Sequence, residues 1–164
     1  MQLLLIADTH IPQRALDLPA QVWDAVDKAD LVVHAGDWVS LDLLDQLEKR
    51  AQDLMGCWGN NDLGAIWRER LPEVNRRTLE GVQVVVTHET GDKHRRDVFC
   101  DTRFGGTDLL VFGHSHAPWD TTTPGGIRLL NPGSCIDRRM QPTCTYMTLT
   151  LEGGGVHDVT LHHL

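Results

Sequence analysis

Gln2-Leu3-Leu4-Leu5-Ile6-Ala7-Asp8-Thr9-His10 opens the chain with an unbroken apolar run that stops at three polar residues. A run without polar alternation reads as a strand buried on both faces, and the switch at Asp8 marks a loop at its carboxyl end. Leu31–His34 repeats the design and stops at Ala35-Gly36-Asp37. Between the two, Pro19 precedes Val22, Trp23, Val26 and Ala29 in helical spacing, with proline near the first turn, where its missing N–H is no loss. These pieces form a β-α-β unit. A second helix is expected from an N-cap at Ser40 through Leu41, Leu44, Leu47 and Glu48, then a weak strand over residues 53–57.

Past residue 78 the pattern changes. Residues 78–79 and 82–87 flank Glu80-Gly81, the signature of a hairpin turn. Further strands are expected over 109–112, 119–123, 127–130, 143–151 and 156–161, joined by Gly/Pro turns. Residues 91–106 are charged and irregular and read as a loop or a short helix. With no repeat or linker, residues 1–164 are expected to form one domain, a size that buries a core without disulfides.

Cys57, Cys100, Cys135 and Cys144 are widely spaced, without a Cys-x-x-Cys pair, and read as reduced packing residues. No stretch has the length of a membrane helix or the flanks of a signal peptide, so a cytoplasmic protein is expected. The net charge of −8 argues against broad binding to nucleic-acid polymers or anionic membranes. Any phosphate must be attracted locally.

Asp8-x-His10 alone carries little weight, because 17 Asp and nine His give roughly one such pair by chance. Gly91-Asp92-Lys93-His94 repeats the pattern without the context. Placement distinguishes the others: Asp8-x-His10, Gly36-Asp37, Gly59-Asn60-Asn61-Asp62, His88 and Gly113-His114-Ser115-His116 each follow an apolar run. In open α/β sheets the carboxyl ends of strands converge on one crevice. Seven metal-capable residues, Asp8, His10, Asp37, Asn60, His88, His114 and His116, would meet there. Oxygen and imidazole donors without thiolate suit manganese, iron, zinc, cobalt or nickel. Seven ligands exceed the needs of one ion, and two ions sharing a carboxylate, with Asp37 as the bridge, account for the number. Two divalent ions, two carboxylates and a hydroxide leave about one positive charge, which attracts a phosphodiester.

The ordered set of five blocks resembles the calcineurin-like metallophosphoesterases over nearly the whole chain. Its compact length and Asn131-Pro132-Gly133-Ser134 resemble the small phosphodiesterase branch of bacteria and archaea, which shares its fold with a eukaryotic retromer scaffold subunit. The resemblance implies a four-layer αββα sandwich of two mixed β-sheets flanked by helices. It also implies two divalent transition-metal ions, manganese favoured over iron, zinc, nickel or cobalt. Asp8, His10 and His116 would hold one, Asn60, His88 and His114 the other, with Asp37 shared and a bridging hydroxide attacking phosphorus. Asp37, Asn60, His88 and Asp62 are then the candidate catalytic residues. The expected activity is hydrolysis of small phosphodiesters, cyclic nucleotides or similar; a phosphomonoesterase and a metal-binding interaction scaffold are the alternatives, and homo-oligomers are allowed.

Two positions depart from the family pattern. Many members have His, and small-branch members often Cys, where this chain has Asn61. An amide donates a hydrogen bond but releases no proton at neutral pH, which shifts protonation of the leaving group to a metal-bound water or Asp62, unless Asp62 orients Asn60 or a histidine. Glu89 follows His88 where relatives commonly have Gly, and an inward carboxylate there favours monoanionic diesters. His34 reads as a strand-end core residue, with support of a metal ligand as its alternative. Trp38, Trp58, Trp67 and Trp119 read mainly as core, with a stacking wall for a nucleobase as the alternative, and Trp38, next to Asp37, is the candidate to border the pocket. Arg95, Arg96 and Arg103 read as a solvated charged loop, with contact to phosphate as the alternative, and His157, His162 and His163 as incidental.

Overall fold

The computed structural model describes residues 1–164. Ten strands and four helices follow in the order β1 (Gln2–Ile6), α1 (Ala20–Lys28), β2 (Leu31–His34), α2 (Leu41–Arg50), β3 (Leu54–Gly56), α3 (Ala65–Arg70), β4 (Val74–Leu79), β5 (Val82–Thr87), α4 (Arg96–Arg103), β6 (Leu109–Val111), β7 (Trp119–Thr122), β8 (Arg128–Asn131), β9 (Thr145–Glu152) and β10 (Gly155–His163). They build two mixed five-stranded sheets, β10-β9-β1-β2-β3 and β4-β5-β6-β8-β7. Strands β1, β2 and β3 run parallel, as do β5, β6 and β8, while β9 lies antiparallel beside β1 and β10 antiparallel beside β9 at the sheet edge.

The apolar runs lack alternation because both faces of each central strand are covered. In β1, Leu3 and Leu5 point between the sheets, where they meet Val33, Val84, Val86, Leu109, Val111 and Leu149. Leu4 and Ile6 point outward beneath α1 and α2, against Val22, Trp23, Val26, Leu44 and Leu47. On the other sheet Val85, Leu110 and Leu129 pack under α4 through Cys100 and Phe104. The layers are therefore helix, sheet, sheet, helix. The Ser40 hydroxyl caps α2 by accepting from the Asp42 amide at 3.1 Å.

Three expectations are corrected. Residues 91–106 take the short-helix alternative as α4, but Arg96 on it is buried rather than solvated: its guanidinium lies 4.7 Å from the Phe112 ring centroid and 4.5 Å from that of Trp119. Helix α3 and residues 74–77 of β4 lie outside the expected elements. Trp38 does not border the pocket; it is fully buried, donates from Nε1 to the Cys57 carbonyl at 2.8 Å and stacks on His34. His162 stacks on Tyr146, with ring centroids 4.6 Å apart, so it packs the sheet rather than decorating it. All four cysteines are free, three of them buried. No helix is long and apolar enough to cross a membrane.

Candidate metal centre

The five polar blocks lie at the carboxyl ends of β1, β2, β3, β5 and β6, and parallel order within each sheet brings them to one edge of the sandwich. Positive φ angles aim the side chains there: Asp8 (53°), His10 (47°), Asp37 (58°), His114 (70°) and His116 (56°). A left-handed conformation at a residue with a side chain is uncommon, and its concentration at one edge marks a site whose surroundings impose it. Gly36 answers the same crowding, since a Cβ there would stand 2.6 Å from His88 Nδ1.

All seven expected metal residues come together. His10 Nε2 lies 3.2 Å from His116 Nε2 and 3.5 Å from Asp37 Oδ2. His116 Nε2 is 3.5 Å from Asp8 Oδ1. On the other side of Asp37, Oδ1 is 3.4 Å from His88 Nε2, and Asn60 Oδ1 lies 3.0 Å from that nitrogen and 2.9 Å from His114 Nδ1. Asp8, His10 and His116 form one compact donor group, and Asp8, Asp37 and His88 another.

Backbone carbonyls fix two ring orientations. His88 Nδ1 donates to Ala35 O at 2.7 Å and His116 Nδ1 to Asp137 O at 2.6 Å, so each turns Nε2 toward the centre. Asp8 is fully buried; its Oδ1 accepts from the His114 amide at 3.0 Å, while Oδ2 has no hydrogen-bond partner. Burial, with the charge of Asp37 adding to it, pushes the Asp8 carboxyl up to about 7. Burial by itself lowers His88, but hydrogen bonding to Asp37 and the charges of Asp8 and Asp37 outweigh it and raise the imidazole to about 9. Burial also opposes ionisation of Asp37; contacts with His88 and Asn61 prevail and hold it well below the usual carboxylate range. The His116 imidazole is lowered to about 4 by burial. An orphaned buried carboxylate oxygen beside the ring nitrogens of His10, His88 and His116 is a donor set that a divalent cation satisfies once it displaces their protons, and the residues fit such an ion.

Asp62 braces the main chain beside the donor set. Its Oδ2 accepts from the amides of Gly59 (2.7 Å) and Asp37 (3.0 Å), and Oδ1 from that of Val39 (2.7 Å). It is buried and hydrogen-bonds neither Asn60 nor a histidine, so it fixes the two loops that carry Asp37 and Asn60. Asn61 donates from Nδ2 to Asp37 Oδ2 at 2.6 Å and from its amide to Oδ1 at 2.8 Å. Glu89 Oε1 is 4.0 Å from His114 Nδ1, half exposed at the rim. His34 is wholly buried with its Nε2 3.1 Å from the hydroxyl of Thr9, between Asp8 and His10, so it is both core and support.

Several contributors escaped the sequence reading. Ser134 donates to Asp8 O at 2.7 Å and Asn131 to Gly113 O at 2.8 Å, which gives the Asn131–Ser134 turn a mechanical purpose. Arg139 donates to His114 O at 3.3 Å, placing a guanidinium beside the Asp8 group. Nothing in its spacing or neighbours singles it out among the arginines.

A model of the calcineurin-like phosphoesterase superfamily domain matches residues 1–154. A probable metallophosphoesterase of Methanocaldococcus jannaschii is 32% identical over 148 residues, 90% of this chain and 74% of that protein. A second protein of that archaeon, named a phosphodiesterase, is 22% identical, covering 90% of this chain and 87% of its own. Among solved structures, a Thermotoga maritima protein superposes with a TM-score of 0.77 at 33% identity over 99% of both chains. Vps29 of Entamoeba histolytica in complex with zinc superposes at 0.78 and 20% identity, over 100% of this chain and 98% of its own.

Proposed function

This chain belongs to the calcineurin-like phosphoesterase superfamily, and from that premise we propose that it is a dinuclear metal-dependent phosphodiesterase for small phosphodiesters, cyclic nucleotides or similar. The observation that carries the reading is the orphaned Asp8 Oδ2 at a point where two carboxylates and the ring nitrogens of His10, His88 and His116 converge. Asp8, His10 and His116 would hold one ion, Asn60, His88 and His114 the other, and Asp37 both. Manganese suits these oxygen and imidazole donors, with iron, zinc, nickel and cobalt as the other candidates. When bound, such ions supply Lewis acidity toward phosphoryl oxygen and acidify water near neutral pH.

The protein's own part is orientation and charge. Ala35 O and Asp137 O hold His88 and His116 by their Nδ1–H groups, leaving Nε2 for the metal. Asp62 fixes the main chain at Asp37 and Gly59. Arg139 adds a local positive charge that draws phosphate to a chain of net charge −8. The Glu89 carboxylate beside His114 disfavours a dianionic monoester relative to a monoanionic diester. Asn61 steadies Asp37 and has no proton to release, so substrates with good leaving groups are preferred. The similarity to a protein named a phosphodiesterase supports the same choice.

Metal content and turnover of bis(p-nitrophenyl) phosphate and p-nitrophenyl phosphate, measured for wild type and Asp37→Ala, test this. Wild type is expected to carry about two ions and to favour the diester, and Asp37→Ala to lose at least about a hundredfold in turnover together with metal. Metal-loaded wild type that hydrolyses neither ester under any divalent ion would overturn the reading and leave a metal-binding scaffold.

A further inference from the structure

A cleft of about 390 Å³ opens on Asn60 and His88, with Trp58 and Phe99 among its walls and Glu73, Glu89 and Arg103 among its polar lining. We propose that this cleft receives a nucleoside arm of the diester, the base against Phe99 and Trp58 and the sugar hydroxyls toward Glu73 and Glu89. The proposal rests on the phosphodiesterase reading above and names the substrate class.

Both rings are held by neighbours. The Arg68 guanidinium lies 4.8 Å from the Trp58 ring centroid, and Phe99 meets Phe104 edge to face, with centroids 6.2 Å apart. Phe99 nevertheless stays 37% exposed, which leaves ring surface for a ligand. Flat aromatic surfaces next to a phosphate site take a base by stacking, with little regard to its identity. Carboxylates at the rim accept hydroxyl hydrogens, as an acidic residue accepts those of ribose in dinucleotide-binding folds.

The same lining excludes other arms. Two aromatic side chains among polar neighbours give no continuous apolar wall for an acyl chain. A longer nucleotide would bring further phosphates toward Glu73 and Glu89, and Arg103, 3.9 Å from Glu73, offsets only part of that charge. What fits is a neutral, flat arm with hydroxyls, attached through a single phosphodiester.

The test compares two diesters with the same leaving group, thymidine 5′-(p-nitrophenyl phosphate) and methyl p-nitrophenyl phosphate. Wild type is expected to prefer the thymidine ester about tenfold in kcat/KM, mainly through KM, and Phe99→Ala to remove most of that preference. In parallel, saturation-transfer NMR of free thymidine with the metal-loaded protein should show signal on the base protons that falls several-fold in Phe99→Ala. Equal use of the two esters by wild type, or a preference that survives Phe99→Ala, overturns the cleft assignment and leaves the phosphodiesterase reading intact. Hydrolysis of neither ester, with thymidine saturation still dependent on Phe99, overturns the enzymatic reading and supports the nucleoside site. Absence of both signals overturns both.

Discussion

At His88 one imidazole serves two demands that oppose each other. Ala35 O fixes its Nδ1–H, while Asp37 and Asp8 draw a proton onto Nε2, the nitrogen an ion needs. With the metal-free imidazole at about 9 and the Asp8 carboxyl at about 7, ions entering the site must displace protons. Because protonation opposes binding, apparent metal affinity should rise with pH, by about tenfold per unit between pH 7 and 9 and more steeply below 7, and level off above 9. Calorimetric titration with manganese in buffers of different ionisation enthalpy would read both the affinity and the protons released; pH-independent affinity would contradict this account. Asn61 makes the second claim at this scale. Asn61→His, which brings a titratable donor beside Asp37, should raise turnover of diesters with poor leaving groups more than of activated ones. Rates for a series of aryl diesters would show a shallower dependence on leaving-group pKa, and an equal gain on all of them would count against it.

Among the elements, loops between strands do the positioning and are themselves tied from a distance. Ser134, after β8, donates to Asp8 O across 126 positions of sequence and accepts from the Ile136 and Asp137 amides, so it links the Asp8 loop to the carbonyl that orients His116. Ser134→Ala leaves those groups buried without a partner, a cost of about 1–3 kcal/mol. The expected result is a Tm lower by several degrees and weaker metal binding, measured by thermal unfolding with and without manganese. An unchanged Tm would mean that the turn holds nothing. Element boundaries were legible where the chain is buried on two sides or capped, as in β1, β2 and α2. They failed where partial exposure hides the pattern. In β4, Asn75, Arg76 and Arg77 occupy an outer strand with only Leu79 buried, so the sequence shows its last two residues and little else. Helix α3 has six residues and buries Trp67 alone, too few for a period to emerge. Helix α4 was obscured because Arg96 lies on its buried face, where its Nε donates to the Thr90 hydroxyl and its guanidinium packs on the Phe112 and Trp119 rings.

For the molecule as a whole, the convergence of the candidate metal residues was readable because strand direction in two sheets sends five sequence blocks to one edge, a rule that needs no coordinates. What surrounds them was not readable. Arg139, Ser134 and the cleft beside Trp58 and Phe99 depend on which loops fold back over that edge, and no periodicity records such returns. The acidic surplus acquires a meaning only with the fold, since an overall charge of −8 coexists with a guanidinium beside the donor set. Strand β1 carries a consequence for synthesis. It lies between β2 and β9, its Asp8 loop is clasped by Ser134, and His116 is steadied by Asp137. Strand β1 must therefore wait for β9 before its pairing is complete, and the donor set cannot come together during synthesis until the residues through Asp137 have emerged. Any ion that the donor set accepts would then enter only after these long-range contacts have closed, not while β1 is being made.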